Sequence, residues 1–401
     1  MSAVMKDERR WSEKFPWLGE DPVSTASCIS EEIYAEEVEK VFKRAWLCVG
    51  RVEDIPEPGC FKLRQLHFAS TGAIVIRGKD NEIRAFHNTC RHRGNTVIVP
   101  DGNHEMHGKK SVMSCRFHAW TYNDKGELIG VQEEEGFPPC FKKDQTGLVP
   151  IHCDTWEGFI FINLADKPEK PLKEYLGKMG EHFSGFPYSE ITHQFKYYTY
   201  LDCNWKVGLD AFSEAYHVNT IHAGSFPGTF STGLQMVELY GDHRTTAVCF
   251  NPPKEQSPVA AMAQTKARGS LVNNVEGTVI PSTINYEKRD DFAFELSVFF
   301  PNWLLHVAEG IWFTHQFWPM GKDKCLWEGT YTVGKPETNS ERWALEHAMV
   351  LQRNAWLEDT GTMEGTHFAL KSGALKEMYL HDQEVLIRHG YHVLEQYLAK
   401  D

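Results

Sequence analysis

The chain has 401 residues, of which 41% are apolar, and a formal charge of −13. That length exceeds one small domain and predicts two. Its basic residues are interspersed rather than gathered, which argues against a nucleic-acid surface and against an anionic membrane as partner. The ten cysteines are irregularly spaced, unlike the framework of a small secreted disulfide protein.

The N-terminal stretch MSAVMKDERRW is polar and lacks the apolar core of a signal peptide. The longest apolar runs, AIVI at 73–76 and FIFI at 159–162, are strand-sized and far too short to span a bilayer. A cytoplasmic protein with free thiols is expected.

Residues 30–46, SEEIYAEEVEKVFKRAW, read as a helix. Ser30 caps it, and Tyr34, Val38, Val41, Phe42 and Ala45 recur at helical spacing. From about 47 to 165 short strands alternate with turn residues: CFKLRQL, AIVIR, IRAF and GFIFINL, broken by PEPG, GKDN and NDKG. This predicts a small all-β domain. ADKPEKPLKEY at 165–175 reads as a connector.

Beyond the connector, HQFKYYTYLDCNW, FELSVFFP, WLLHVA, IWFTHQFWP and LWEGTYTV read as strands, and 204–218, 340–358 and 382–399 as helices. In 340–358 the stripe is Trp343, Ala344, Ala348, Leu351, Ala355 and Trp356. The expected class is α+β, an antiparallel sheet with helices on one face. The segment 225–300, including FPGTFSTGLQM and NPPKEQSPVAAMAQTKARGS, is expected to line or cover a pocket.

Two constellations carry chemistry. Cys90-x-His92 in HNTCRHRGN and Cys115-x-x-His118 in CRFHAW give two thiolates and two imidazoles from two turns. Structural zinc sites usually pair cysteine with cysteine. Mixed pairs suit a [2Fe–2S] cluster in which cysteines hold one iron and histidines the other. Spacing alone leaves zinc open. The second constellation lies in NWKVGLDAFSEAYHVNTIHAG, 204–224. Glu214 and His217 share a helix face. His222 lies about 140° further round a regular helix, so both histidines reach one metal only if the helix ends or bulges between them. Two histidines and one carboxylate form the donor set of non-haem Fe(II) oxygenases, so a distant carboxylate is required.

CRHRGN followed by CRFHAWTYNDKGELIG resembles the Rieske domain of the aromatic-ring-hydroxylating oxygenases, through Arg93-Gly94, Trp120-Thr121-Tyr122 and the hairpin Asp124–Gly126. The spacing between the halves is longer than the family pattern. The surplus falls in PDGNHEMHGKK, read as a surface loop although His104 and His107 in it look like a metal pair. NWK and EAYHVNTIH resemble the family's catalytic domain, and WLEDTGTMEG at 356–365 resembles the stretch supplying its carboxylate.

The resemblance implies a terminal oxygenase chain in three parts: an N-terminal helical segment, 1–46, packed on the catalytic domain, a Rieske domain, 47–165, and a catalytic domain, 166–401. Cys90, His92, Cys115 and His118 would hold the cluster. His217, His222 and Asp359 would hold a mononuclear Fe(II), with Glu358, Glu364 and Asp382 as weaker carboxylate candidates. Glu214 would be an electron bridge from His118 of the partner subunit to His217, and Asp210 would support it from one turn upstream. Dioxygen would be co-substrate. Electrons would come from a ferredoxin or reductase, with NAD(P)H acting only indirectly, since no G-x-G-x-x-G follows a strand. A homotrimer is implied, with a small beta subunit in some relatives. The expected substrate is a small aromatic molecule. Oxidative N- or O-dealkylation and attack on an aliphatic or quaternary amine use the same chemistry. A zinc-binding protein without redox function and a pure electron carrier are the rival readings.

Overall fold

A computed structural model describes residues 10–252, 258 and 280–400. The rest of the expected pocket segment, including most of NPPKEQSPVAAMAQTKARGS, lies outside the described residues. The chain groups into two compact units. One is Phe42–Tyr175; the other joins the segment ending at Val41 to everything from Leu176 onward.

In the first unit the strands are β1 (Leu47–Arg51), β2 (Cys60–Leu66), β3 (Thr71–Arg77), β4 (Ile83–His87), β5 (Glu105–Lys109), β6 (Met113–Ser114), β7 (Thr121–Tyr122), β8 (Leu128–Gly130), β9 (Pro150–Trp156) and β10 (Phe159–Asn163). A seven-stranded sheet runs β1-β10-β9-β4-β3-β2-β5, and β6-β7-β8 form a second, smaller sheet. All pairings are antiparallel. The predicted NDKG turn forms as read: the Asn123 side chain accepts from Lys125 N and Glu127 N, both at 2.9 Å, and Gly126 takes φ 79°. Phe61, Leu63, Ile74, Ile76, Phe86, Trp120 and Tyr122 close over the core, and Cys90 and Cys115 are part of it.

The insertion between the two half-motifs corrects the surface-loop expectation. Residues 105–109 form β5, paired to β2 from Cys60↔Lys109 to Arg64↔Glu105. Glu105 lies 2.9 Å from buried Lys62 and 3.2 Å from buried Arg64. Those cations outweigh burial and hold its carboxyl well below the usual carboxylate range. His107 leans on Glu105 at 3.3 Å. The insertion therefore closes a sheet edge and neutralises two buried cations. An edge strand of this kind has no apolar alternation, which is why the sequence pattern hid it.

In the second unit, β11 (His193–Leu201), β12 (Gln235–Tyr240), β13 (His243–Cys249), β14 (Phe292–Phe299), β15 (Trp303–Ala308), β16 (Ile311–Gly321) and β17 (Lys324–Val333) form one antiparallel sheet in the order β11-β17-β16-β15-β14-β13-β12. The described helices that position the site are α1 (Glu31–Glu37), α2 (Leu172–Phe183), α3 (Trp205–Ala211), α4 (Val218–Ile221), α5 (Asn339–Lys371) and α6 (Val385–Leu398). Helix α3 packs on β16 and β17, and α5 on α3 and β11. Gly208 makes the first contact possible, because a Cβ there would meet the Phe317 ring at 2.5 Å.

Several boundaries differ from the reading above. The helix predicted over 30–46 is regular only through Glu37 and continues as a wider π turn over Val38–Phe42; Ser30 does cap it, accepting from Ile33 N at 3.1 Å. The helix expected over 340–358 runs to Lys371 and passes through Gly361 and Gly365. Thr338 and Glu341 form its capping box. Trp343 is 77% exposed, so it is not part of the buried stripe. β12 and β13 went unread because a bulge between Gln235 and Glu238 scrambles the period and every residue of β13 is buried.

Candidate metal centres

The two Cys-His turns share one construction. Cys90 N donates to Asn95 O (2.8 Å) and Gly94 N returns to Cys90 O (2.9 Å); Cys115 N donates to Trp120 O (2.9 Å) and Ala119 N returns to Cys115 O (3.0 Å). The residue closing each turn has positive φ, 79° at Gly94 and 55° at Ala119. Glycine at the first is therefore a conformational requirement. The loop after β4 and the loop joining β6 to β7 thus present their ligand atoms to each other.

Like faces like. The Nδ1 atoms of His92 and His118 lie 3.2 Å apart, and the Cys90 and Cys115 thiols are hydrogen-bond neighbours. Tyr122 OH lies 3.3 Å from Cys90 Sγ and accepts from Arg91 N at 3.0 Å, while Asn95 Nδ2 donates to Cys115 Sγ at 3.5 Å. Burial pushes the Cys90 thiol up. At Cys115 burial acts the same way, but the amides of Phe117 and His118 and the Asn95 side chain outweigh it and lower the thiol. The cysteines are buried and the histidines half-buried, with His92 stacked on Trp120 at 4.9 Å and 12°. Two sulfurs converging on one point and two imidazoles on another fit a dinuclear cluster. A single tetrahedral zinc would draw all four onto one point.

The second centre is built where a helix fails. The predicted helix 204–218 stops at Ala211, and the next helical turn begins at Val218. Between them the Glu214 carboxylate takes the place of backbone partners: it accepts from Tyr216 N, from His217 N at 3.1 Å, and from His217 Nδ1. This break lets both histidines face one point. His217 Nε2 lies 3.5 Å and His222 Nε2 3.2 Å from the same atom, Asp359 Oδ1. That oxygen is buried and has no hydrogen-bond donor of its own. Burial raises the Asp359 carboxyl, and at His222 the charges of Asp359 and Glu358 outweigh burial and raise the imidazole. A buried anion without a donor, facing two imidazole nitrogens, fits a divalent cation.

The NWK triplet explains how α3 is held. Asn204 caps it, accepting from Lys206 N at 3.0 Å. Trp205 Nε1 donates to Glu37 Oε2 at 2.9 Å and Lys206 Nζ to Glu37 Oε1 at 2.6 Å. Glu37, at the end of α1, is fully buried and so anchors the N-terminal segment to the helix that precedes the site.

The other carboxylates sort by what they touch. Glu358 Oε2 lies 2.9 Å from His222 Nδ1 and accepts from Ser225 Oγ at 2.6 Å. It orients a histidine rather than facing the common point. Both histidines therefore carry a carboxylate on Nδ1, which fixes Nε2 as the free nitrogen. Glu358→Gln is expected to weaken iron binding about 10- to 100-fold, read by iron titration of the metal-depleted protein. Glu364 accepts from Asp202 N, and Asp382 accepts from Trp11 N and Ser12 N, so neither points to the site. Asp210 corrects the reading above. Its carboxylate accepts from Tyr391 OH at 2.9 Å, near buried Arg244, and burial pushes it up to about 7. It bonds neither Glu214 nor the histidines.

His217, His222 and Asp359 line a cavity of about 780 Å³. Its floor is a row of rings directly opposite one another on three strands: His306 on β15, Phe313 on β16 and Tyr331 on β17. Phe313 stacks on Tyr331 at 5.4 Å and 22°, and His306 is tilted against Phe313 at 4.5 Å and 31°. Burial holds His306 neutral, its imidazole lowered to about 3. Phe226, Phe230 and Trp356 add to the walls. Strand register is what aligns His306, Phe313 and Tyr331 into a floor.

Comparison with known proteins agrees with this architecture. Residues 188–400 match the family model of the ring hydroxylating alpha subunit (catalytic domain), and residues 45–142 that of the Rieske [2Fe-2S] domain. The carnitine monooxygenase oxygenase subunit of Acinetobacter pittii is 29% identical over 198 residues, 49% of this chain and 51% of that protein. The 2-aminobenzenesulfonate 2,3-dioxygenase subunit alpha of an Alcaligenes species is 34% identical over 212 residues, 52% of this chain and 50% of that protein. The chain thus spans about half the length of the curated relatives it matches. A solved quaternary ammonium Rieske monooxygenase in complex with an inhibitor has the same fold, with TM-score 0.73 and 20% identity over 94% of this chain and 95% of that one. The catalytic-domain match covers more than half of the sequence, and the chain belongs to the ring-hydroxylating alpha-subunit family, with a Rieske [2Fe–2S] domain ahead of its catalytic domain.

Proposed function

We propose that this chain is the terminal oxygenase component of a multi-protein system, hydroxylating a small aromatic substrate with dioxygen and electrons from a separate ferredoxin or reductase. The observation that carries the reading is the convergence of His217 and His222 Nε2 on Asp359 Oδ1 in the wall of an aromatic cavity. When bound, a mononuclear iron at these three residues would supply dioxygen activation, and a [2Fe–2S] cluster at Cys90, Cys115, His92 and His118 would supply single electrons. Glu214 and Glu358 keep the ring proton of each histidine on Nδ1, so both present Nε2 to the metal. The floor of His306, Phe313 and Tyr331 offers an aromatic ring a stacking surface.

Glu214 is the bridge by which electrons from His118 of the partner subunit reach His217 in a homotrimer. Its bond to His217 Nδ1 supports this. None of the ten cysteines, all among the described residues, is joined in a disulfide, which suits the cytoplasm. Among the described residues no helix is long and apolar enough to cross a membrane.

A second reading, oxidation of a quaternary amine, draws on the carnitine monooxygenase relative and on the attraction of aromatic rings for such cations. One experiment separates the possibilities. The purified chain, with a surrogate reductase and NADH, is offered toluene, benzoate and L-carnitine under ¹⁸O₂. Brown protein and labelled aromatic product are expected. Colourless, zinc-containing protein rejects the oxygenase reading, and labelled product from L-carnitine alone rejects the aromatic substrate.

A further inference from the structure

Helix α5 presents Gln352, Ala355, Trp356 and Asp359 to the cavity, the i, i+3, i+4, i+7 stripe of one helix face. Seven residues at 1.5 Å rise put Gln352 about 10 Å along the axis from Asp359. Its side-chain amide has no hydrogen-bond partner among the described residues. Tyr331, also lining the cavity, packs against the cluster of Val333, Leu345 and Met349, so it stands at the same end of α5 as Gln352. Its hydroxyl likewise has no hydrogen-bond partner among the described residues. Between this end and the metal centre lie Trp356 and His315, 4.9 Å apart.

We propose that Gln352 and Tyr331 are the specificity-determining pair of the cavity, and that the substrate is a one-ring aromatic molecule carrying a hydrogen-bonding substituent opposite the carbon to be oxidised. This rests on the oxygenase reading above and narrows its substrate class. A carboxamide and a phenol each donate and accept, so they suit an amide, carboxylate or hydroxyl substituent. A plain hydrocarbon or a quaternary ammonium group would leave both unpaired once water is displaced, and an unpaired buried amide costs binding.

The test is a calorimetric titration of the purified full-length protein with benzamide and with α-methylstyrene, which has the same shape but no strong hydrogen-bonding group. The unsubstituted protein is expected to prefer benzamide by on the order of 10- to 100-fold in Kd. Gln352→Met, which keeps length and flexibility, should remove most of that preference, and Tyr331→Phe a smaller part. An unchanged visible spectrum and Tm certify both variants as folded. Equal binding of the two probes, or a preference that survives both substitutions, overturns the inference while ¹⁸O₂ incorporation into aromatic compounds leaves the oxygenase reading standing. Benzamide binding without incorporation into any aromatic compound sinks that reading instead.

Discussion

Replacing Asp359 with alanine is expected to strip the catalytic unit of its mononuclear iron while leaving the brown [2Fe–2S] spectrum intact. Among the described residues the carboxylate is the only anion facing the point where His217 and His222 Nε2 converge, at 3.5 and 3.2 Å. Two neutral imidazoles retain little affinity for a hard divalent iron without it. Iron per chain should fall from about three to about two, and turnover by at least about 100-fold. The fold itself should not suffer. In the metal-free protein Asp359 Oδ1 is buried without a donor, and burial raises its carboxyl, so its removal relieves a desolvation cost. An unchanged or raised Tm of the metal-free variant checks that point. Undiminished turnover would refute the ligand assignment.

Glu214→Gln is expected to act differently, leaving both metals in place and slowing the passage of electrons between them. Glutamine keeps the length of the side chain and an oxygen that can still accept from His217 Nδ1. What it loses is the charge that polarises the imidazole and that, in the proposed bridge, would meet the partner subunit's histidine. Stopped-flow reoxidation of the reduced cluster, with substrate and dioxygen, should slow about 10- to 100-fold in protein reconstituted to full iron content. Reoxidation at the normal rate would mean that Glu214 serves only to cap the turn at Tyr216 and His217. The contrast between the two substitutions is itself informative: one removes a metal, the other a route.

Both experiments concern residues visible in the sequence, and the reason is local. Cys90 with His92, Cys115 with His118, and Glu214 with His217 are each joined by a single turn, so their proximity follows from chain geometry over a few residues. The break between α3 and α4 was legible as a requirement, because a regular helix could not aim His217 and His222 together. Why the break occurs was not: it takes the Glu214 carboxylate folding back on the following amides. Asp210 shows the opposite error. It sits one helical turn before Glu214, yet its side chain turns to Tyr391 on α6, a partner that no spacing rule reveals.

The sequence by itself determined the donor inventory, the two half-motifs and the need for a remote carboxylate, since these rest on residue type and short separations. Tertiary structure alone decided which carboxylates serve. Glu358 and Asp359 are neighbours on α5, but adjacent residues on a helix point about 100° apart, so one bonds His222 Nδ1 and the other faces the two Nε2 atoms. It also decided that β5 closes a sheet edge rather than looping out, and that His306, Phe313 and Tyr331 form one floor. Those facts depend on strand register and on the docking of a 33-residue helix, contacts between segments distant in the chain that only the folded packing brings together.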